Sequence, residues 1–293
     1  MLFHIVKKRK IFYIISLAII ILGLGSLLTR GLNLGIDFTG GNIVELKFNK
    51  AVTLEEVRTA LADYKLEDSR LQSGGDNTFL IRTRVLSQAE SQEAIEGISE
   101  KLGGATLLRN ELVGPVIGKE LTKQAILALV IAAVLMILYI TWRFEFLQAI
   151  AAIGGLMHDV MIMVGMASLL QIEIDSTFVA AVLTIIGYSI NDTIVIFDRI
   201  RENLRINRKE ELGELVNKSL WQTMARSINT VLTVLFVLLA LFFFGGNTIS
   251  NFVTLLIIGI ASGAYSSIFI SGPGWYDLRR IQKERKRAAK AAA

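Results

Sequence analysis

Asp192 stands inside an apolar run, residues 176–198, about six residues or roughly 9 Å from its end. An acid at that depth in an apolar segment is costly, and such residues are functional candidates by default. Ser189 lies three residues before it, and Asn191 and Thr193 flank it, so the segment carries a polar face. Further on, Arg226 opens another apolar run and is followed by Asn229, Thr230 and Thr233. Offsets of 3, 4 and 7 put these four on one helical face. An acid face and a base face minimise their cost by meeting, and such a pair can take up and release a proton as the base withdraws and returns. The plain alternative for Arg226 is a side chain that only reaches to the membrane surface. His158 and Asp159 fall in the middle of a third run, 147–170. They fit a proton relay, because histidine titrates near neutrality, and fit equally a buried structural hydrogen-bonded pair. Asp198 with Arg199 and Arg201 reads as an interfacial charge cluster, and Gly259 with Gly263 as a small-xxx-small helix contact.

Other chemistry is excluded by what the chain lacks. It has no cysteine and two histidines, which leaves out thiol catalysis, disulfide frameworks, zinc fingers and multi-histidine metal sites. There is no Walker loop, nucleophile elbow or dinucleotide fingerprint. The chain is therefore expected to be no enzyme and to hold no cofactor or metal.

The elements that must position these residues are membrane spans. Of 293 residues, 53% are hydrophobic and 19% charged, below the charge content of about 25% usual in a soluble domain. Mean hydropathy is +0.54. Six stretches are long enough to cross a bilayer, near 11–28, 124–142, 147–170, 176–198, 228–245 and 249–271. The first follows four cations, Lys7 to Lys10, but its apolar run is longer than a signal-peptide core and no A-x-A site follows, so it reads as an uncleaved anchor. Of the other 27 cations, twelve lie in the long stretch from Arg30 to Lys123 and fifteen lie beyond it. Arg143, seven cations from Arg199 to Arg226 and seven from Arg279 to Lys290 flank short links, whereas the links 171–175 and 245–250 hold none. Cations in short loops stay cytoplasmic, and long segments translocate regardless of charge. Both termini are thus expected inside and residues 29–123 outside. The net charge of +5 and the basic tail 272–293 then read as a membrane-lipid surface anchor and not a nucleic-acid site.

The 29–123 segment has its own patterning. Asn42–Phe48 alternates as a strand, and Thr53 with Glu56 forms a capping box opening a helix to about Tyr64. A strand near 67–72 meets the turn sequence Gly74-Gly75-Asp76-Asn77, and Thr78–Arg84 is its partner. Ser87 with Glu90 opens a second helix to about Leu102, and Ala105–Val113 is a last strand. The order β-α-β-β-α-β is that of a ferredoxin-like unit, a fold that hosts many functions. The fold class expected is a polytopic helical membrane protein with six spans and this domain between the first two. The domains are 1–28, 29–123, 124–271 and 272–293.

Four motifs resemble the SecF family of the bacterial protein-export machinery. They are Gly35-Ile36-Asp37-Phe38-Thr39-Gly40-Gly41, the run from Val113-Gly114-Pro115 to Leu121, the run from Ser189 through Asn191-Asp192-Thr193 to Asn203, and Arg226-Ser227-Ile228-Asn229-Thr230. The resemblance covers about residues 8 to 280. It implies membership of the proton-driven RND superfamily in the bacterial inner membrane, a SecD partner supplying six more spans, and association with the SecYEG channel. The residues matching Asp192 and Arg226 would belong to a proton pathway, and the exported domain would help draw translocating preprotein outward after ATP-driven insertion. The alternatives are a proton-coupled RND-type exporter of lipids or small molecules, and a scaffold of the channel that transports nothing.

Overall fold

The computed structural model describes residues 3–207 and 209–292. Met1, Leu2 and Ala293 of the tails and Arg208 of the cation-rich link lie outside the described residues. In chain order the elements are α1 (Ile5–Arg30), β1 (Asn33–Leu34), α2 (Ile36–Thr39), β2 (Gly41–Phe48), α3 (Leu54–Ala62), β3 (Arg70–Gly75), β4 (Thr78–Thr83), α4 (Gln88–Lys101) and β5 (Ala105–Val113). There follow α5 (Pro115–Arg143), α6 (Phe146–Leu169), β6 (Glu173–Ile174), α7 (Ser176–Ile206), α8 (Leu212–Phe244) and α9 (Asn247–Ser266). A π-turn (Ser267–Ser271) then leads into α10 (Gly272–Ala292). Among the described residues six helices are long and apolar enough to span a membrane, the last running through α9, the π-turn and α10.

The chain divides into two compact units, one of residues 1–33, 128–173 and 177–293, the other of 34–127 and 174–176. The first is a helical bundle whose seams are made by small residues. In a bilayer, lipid tails are as apolar as leucine, so helices associate through close packing and polar contacts. Along α1 and α6 the pairs Ser16–His158 and Ser26–Ser168 share one sequence offset of 142, as do Gly23 and Gly165, so the two helices run parallel. A Cβ at Gly165 would lie 2.8 Å from the Gly23 Cα, so glycine is what permits this approach. α7 and α9 are also parallel: Gly259 sits on Ile185, Gly263 on Ser189, and the Thr193 and Ser267 hydroxyls are 2.8 Å apart. The glycine pair read as helix packing is that seam. At one end of the bundle Phe197, Ile200, Val216, Leu220 and a fully buried Trp275 form an apolar core.

α8 begins sixteen residues before the apolar run expected at 228, and the stretch from 272 continues as helix. The extra length is amphipathic, and hydropathy registers only the part at membrane depth. The start of α10 is a packed element carrying Trp275 and Asp277, and Asp277 takes a two-pronged ion pair from Arg9 at 2.7 Å.

The second unit holds a four-stranded antiparallel sheet in the order β3-β4-β2-β5. Both capping boxes are present: Thr53 and Ser87 accept from the amides of Glu56 and Glu90, whose carboxylates return to the cap amides. β3 and β4 are joined by Asp76 and Asn77, both at positive φ (51° and 55°), the geometry of a two-residue hairpin turn. Gly74 and Gly75, read from the sequence as turn, lie in β3. Val44, Leu46 and Phe48 of β2 pack with Phe79 and Ile81 of β4, Leu61 of α3 and Ile98 of α4.

Candidate functional site in the membrane bundle

α7 and α8 lie side by side, antiparallel, and polar contacts set their register. The Tyr188 hydroxyl donates to the Thr230 carbonyl at 2.7 Å. Arg199 donates to Gln222 at 2.8 Å, and Asn203 donates to Ser219 and Gln222, each at 2.8 Å. Asp192 and Ser227 sit inside this seam, 5% and 1% exposed. Among the described residues neither Asp192 Oδ2 nor Ser227 Oγ makes a hydrogen bond of good geometry, although the Ser227 hydroxyl lies close enough to the Asp192 carboxyl to bond it loosely. Ser227 and Arg226 are nonetheless the α8 groups close enough to act on the Asp192 carboxylate.

The expected face of Arg226, Asn229 and Thr233 does not close on α7: these three are exposed, and it is Ser227, outside that face, that lies buried in the seam with Asp192. Arg226 is exposed and lines a cavity of about 450 Å³ with Asp198, Arg199, Glu202 and Gln222. A long side chain lowers its cost by carrying its charge toward water. Asn191 and Asn229 are exposed on this chain. The Thr230 hydroxyl bonds back to the Arg226 carbonyl at 2.6 Å. Asp198 holds Arg143 at 2.6 Å, and Arg201 lies 3.3 Å away.

His158 and Asp159 are brought together with Ser189, read from the sequence only as a neighbour of Asp192, and with Ser16, Ser262 and Ser266, which sequence reasoning missed. Asp159 is fully buried. It accepts from Ser189 of α7 at 2.6 Å, from Ser262 of α9 at 2.7 Å and from Ser266 of α9 at 2.7 Å. His158 Nδ1 is 3.0 Å from Asp159 Oδ1, and its Nε2 is 3.0 Å from Ser16 Oγ of α1. One carboxylate thus ties α6 to α7 and α9, and its neighbouring ring ties α6 to α1. The available signal was Ser262 and Ser266 at i, i+4 within a span, on the helix already carrying Gly259 and Gly263.

In the second unit the glycine motif has a steric basis. Gly40 and Gly41 have φ of +72° and +142°, and a Cβ at Gly41 would lie 2.6 Å from the Thr83 carbonyl oxygen. Gly35 donates to the Ile174 carbonyl at 2.8 Å. Asp37 accepts at 2.8 Å from the amide of Ser176, the first residue of α7, where a carboxylate complements the helix N-terminus. Pro115 is the first residue of α5, a position that needs no amide hydrogen bond. Gly114 precedes it in open space.

Comparison with known proteins agrees with this architecture of a polytopic membrane protein built for export. Residues 94–281 match the family described as protein export membrane protein SecD/SecF, C-terminal, and residues 25–52 match the SecD/SecF GG motif. The chain is 47% identical to the protein translocase subunit SecF of Acidaminococcus fermentans, over 96% of this chain and 99% of that one. It is 39% identical to SecF of Haemophilus influenzae, over 93% and 85%. The crystal structure of SecDF, a translocon-associated membrane protein from Thermus thermophilus, superposes with a TM-score of 0.88 at 36% identity. That likeness covers 95% of this chain and 39% of the SecDF chain. The chain belongs to the SecF family of protein translocase subunits.

Proposed function

We propose that this subunit works with a SecD partner, which supplies a second six-span half, to draw preprotein through SecYEG at the expense of the proton motive force. Asp192 is the proton-exchanging group, and Arg226 is the base that approaches and withdraws. The observation that carries this reading is a carboxyl buried in the α7–α8 seam, with one oxygen that makes no well-formed hydrogen bond among the described residues, beside Ser227 and a cation on the neighbouring helix that is not bonded to it. Such a group can change protonation state without breaking the fold. Asn191, Arg226 and Asn229, exposed on this chain, form the surface that the partner covers. Thr230 lines the same seam, and Thr193, whose hydroxyl meets Ser267 2.8 Å away, stands beside Asp192 on α7; we assign both to the proton pathway.

Residues 29–123 form a ferredoxin-like domain outside the bacterial inner membrane, with both termini in the cytoplasm. The strand order β3-β4-β2-β5 supports the fold reading. Ion pairs joining Arg9 to Asp277, Lys7 to Glu214, Arg143 to Asp198 and Arg279 to Glu145 support the orientation, because they gather both ends of the chain and the cation-rich links at one end of the bundle. Parallel α1 and α6, and parallel α7 and α9, are what six alternating crossings require.

The test is preprotein translocation into vesicles carrying Asp192→Asn, with and without a proton gradient. The gradient-dependent part is expected to vanish and the gradient-independent part to remain. A wild-type rate with unchanged gradient dependence would make Asp192 a structural residue and favour the scaffold. Because the chain has no cysteine, single cysteines placed at Asn77 and Lys209 report topology cleanly. An impermeant maleimide should label the first from outside intact cells and not the second.

A further inference from the structure

We propose that Asp159 is a positioning residue that holds α7 in the rotational phase presenting Asp192 to α8. This rests on the reading of Asp192 given above, and it assigns the buried His158–Asp159 pair a role other than carrying protons. Ser189 donates to Asp159 at 2.6 Å, and one turn later Thr193 meets Ser267, the first residue of the π-turn after α9, at 2.8 Å. Ser267 also donates to the Ser189 carbonyl at 3.3 Å. These contacts grip one side of α7 from two helices. Asp192 follows Ser189 by three residues, which places it about 60° back around the helix, on the shoulder that faces α8. A rotation of a few tens of degrees would carry its carboxylate out of the seam with Ser227. The hold is one-sided in chemistry as well. Asp159 receives three hydroxyls and a ring nitrogen, so its acceptor positions are filled by groups from α6, α7 and α9. It is fully buried, whereas Asp192 Oδ2 makes no well-formed hydrogen bond among the described residues. The first is suited to fix geometry and the second to change state.

The titratable groups near each acid are few. Asp159 has His158 on its own helix, and the Tyr265 ring of α9 stacks on His158 with centroids 6.1 Å apart. Asp192 has Tyr188 on its own helix and Arg226 on α8.

The absence of native cysteine gives a phase measurement that does not involve protons. In full-length chain in membranes, Asp192→Cys with Ser227→Cys should cross-link on mild oxidation. Adding Asp159→Asn, or the gentler Ser189→Ala, should lower the cross-linking rate at least several-fold. Ser262→Ala, which removes a contact to α9 and leaves the α7 contact in place, should not. In translocation assays without the cysteines, Asp159→Asn and Ser189→Ala should shift the pH midpoint of the gradient-dependent component in the same direction. Asp159→Glu, which titrates but is one methylene too long for the cage, should fail to rescue. Unchanged cross-linking in the Ser189→Ala background overturns the proposal. So does full activity in Asp159→Glu combined with none in Asp159→Asn, which would make the residue a proton carrier. If Asp192→Asn proves silent while cross-linking still depends on Asp159, the positioning stands and only the proton reading of Asp192 falls.

Discussion

Asp159 in the α6–α9 centre and Asp192 in the α7–α8 seam are both acids buried among apolar helices, yet their surroundings are opposite. The first is saturated with donors from several helices; the second, among the described residues, has an oxygen with no well-formed hydrogen bond and only the Ser227 hydroxyl nearby. Depth in the membrane marks both as candidates. What separates a fixed joint from a reactive group is the hydrogen-bonding capacity left over after the fold has formed.

The sharpest way to break this comparison is to remove each acid in turn. Asp159→Leu strands three hydroxyls and a ring nitrogen in the bundle centre. Removing one side of a buried charged network is expected to cost about 3–5 kcal/mol. Asp192→Leu breaks no well-formed bond to its Oδ2, and its stability cost should stay within about 1 kcal/mol. Thermal unfolding of the purified chain in detergent measures both. Equal losses would mean that the two settings do not differ in kind.

A smaller effect tests whether the bundle is held by close approach as well as by the cage. Gly165→Ala drives a Cβ to 2.8 Å from the Gly23 Cα and should cost about 1–3 kcal/mol by overpacking. Gly154→Ala, on the same helix with open space around its Cβ, should be nearly silent. If both are silent, the α1–α6 seam is looser than its geometry states. Smaller again is Arg226→Lys. It keeps the charge and loses the planar fork, so gradient-dependent translocation should fall in part while the chain remains assembled.

Six spans were legible because length and hydropathy are properties of single segments. The depth of Asp192 and the shared face of Arg226, Asn229 and Thr233 were legible from spacing, though that face stays exposed on this chain, and the two capping boxes were legible through their four-residue pattern. The serine cage was not legible. Ser16, Ser262 and Ser266 look like ordinary small residues of spans, Ser189 was read only with Asp192, and the joining of three of these serines to Asp159 and of Ser16 to His158 is fixed only by how four helices pack. The failure of Arg226 to pair with Asp192 was equally hidden, because spacing gives a face but not the direction a long side chain takes. The early start of α8 escaped because residues 212–227 are helical without being uniformly apolar.

The smallest expected effect extends the comparison to acids in water. Glu56 and Glu90 are fully exposed, and each accepts the amide of its own N-cap, Thr53 at 2.7 Å and Ser87 at 2.8 Å. Those backbone hydrogen bonds, helped by the cap hydroxyls, hold both carboxyls below their ordinary value of 4.5. A group whose folded-state pKa is depressed binds fewer protons folded than unfolded. Its contribution is therefore complete above the ordinary value and disappears as pH falls through the depressed one. Protection of the Thr53 and Ser87 amides against hydrogen exchange, corrected for intrinsic rates, should stay level from about pH 7 to about pH 5 and decline below about pH 4. Glu56→Gln and Glu90→Gln should flatten that decline with little other change, since water replaces most of what an exposed carboxylate supplies, and added salt should shrink the effect further. Level protection down to about pH 3 in the unmodified chain would show that these carboxylates do not hold the cap amides in solution.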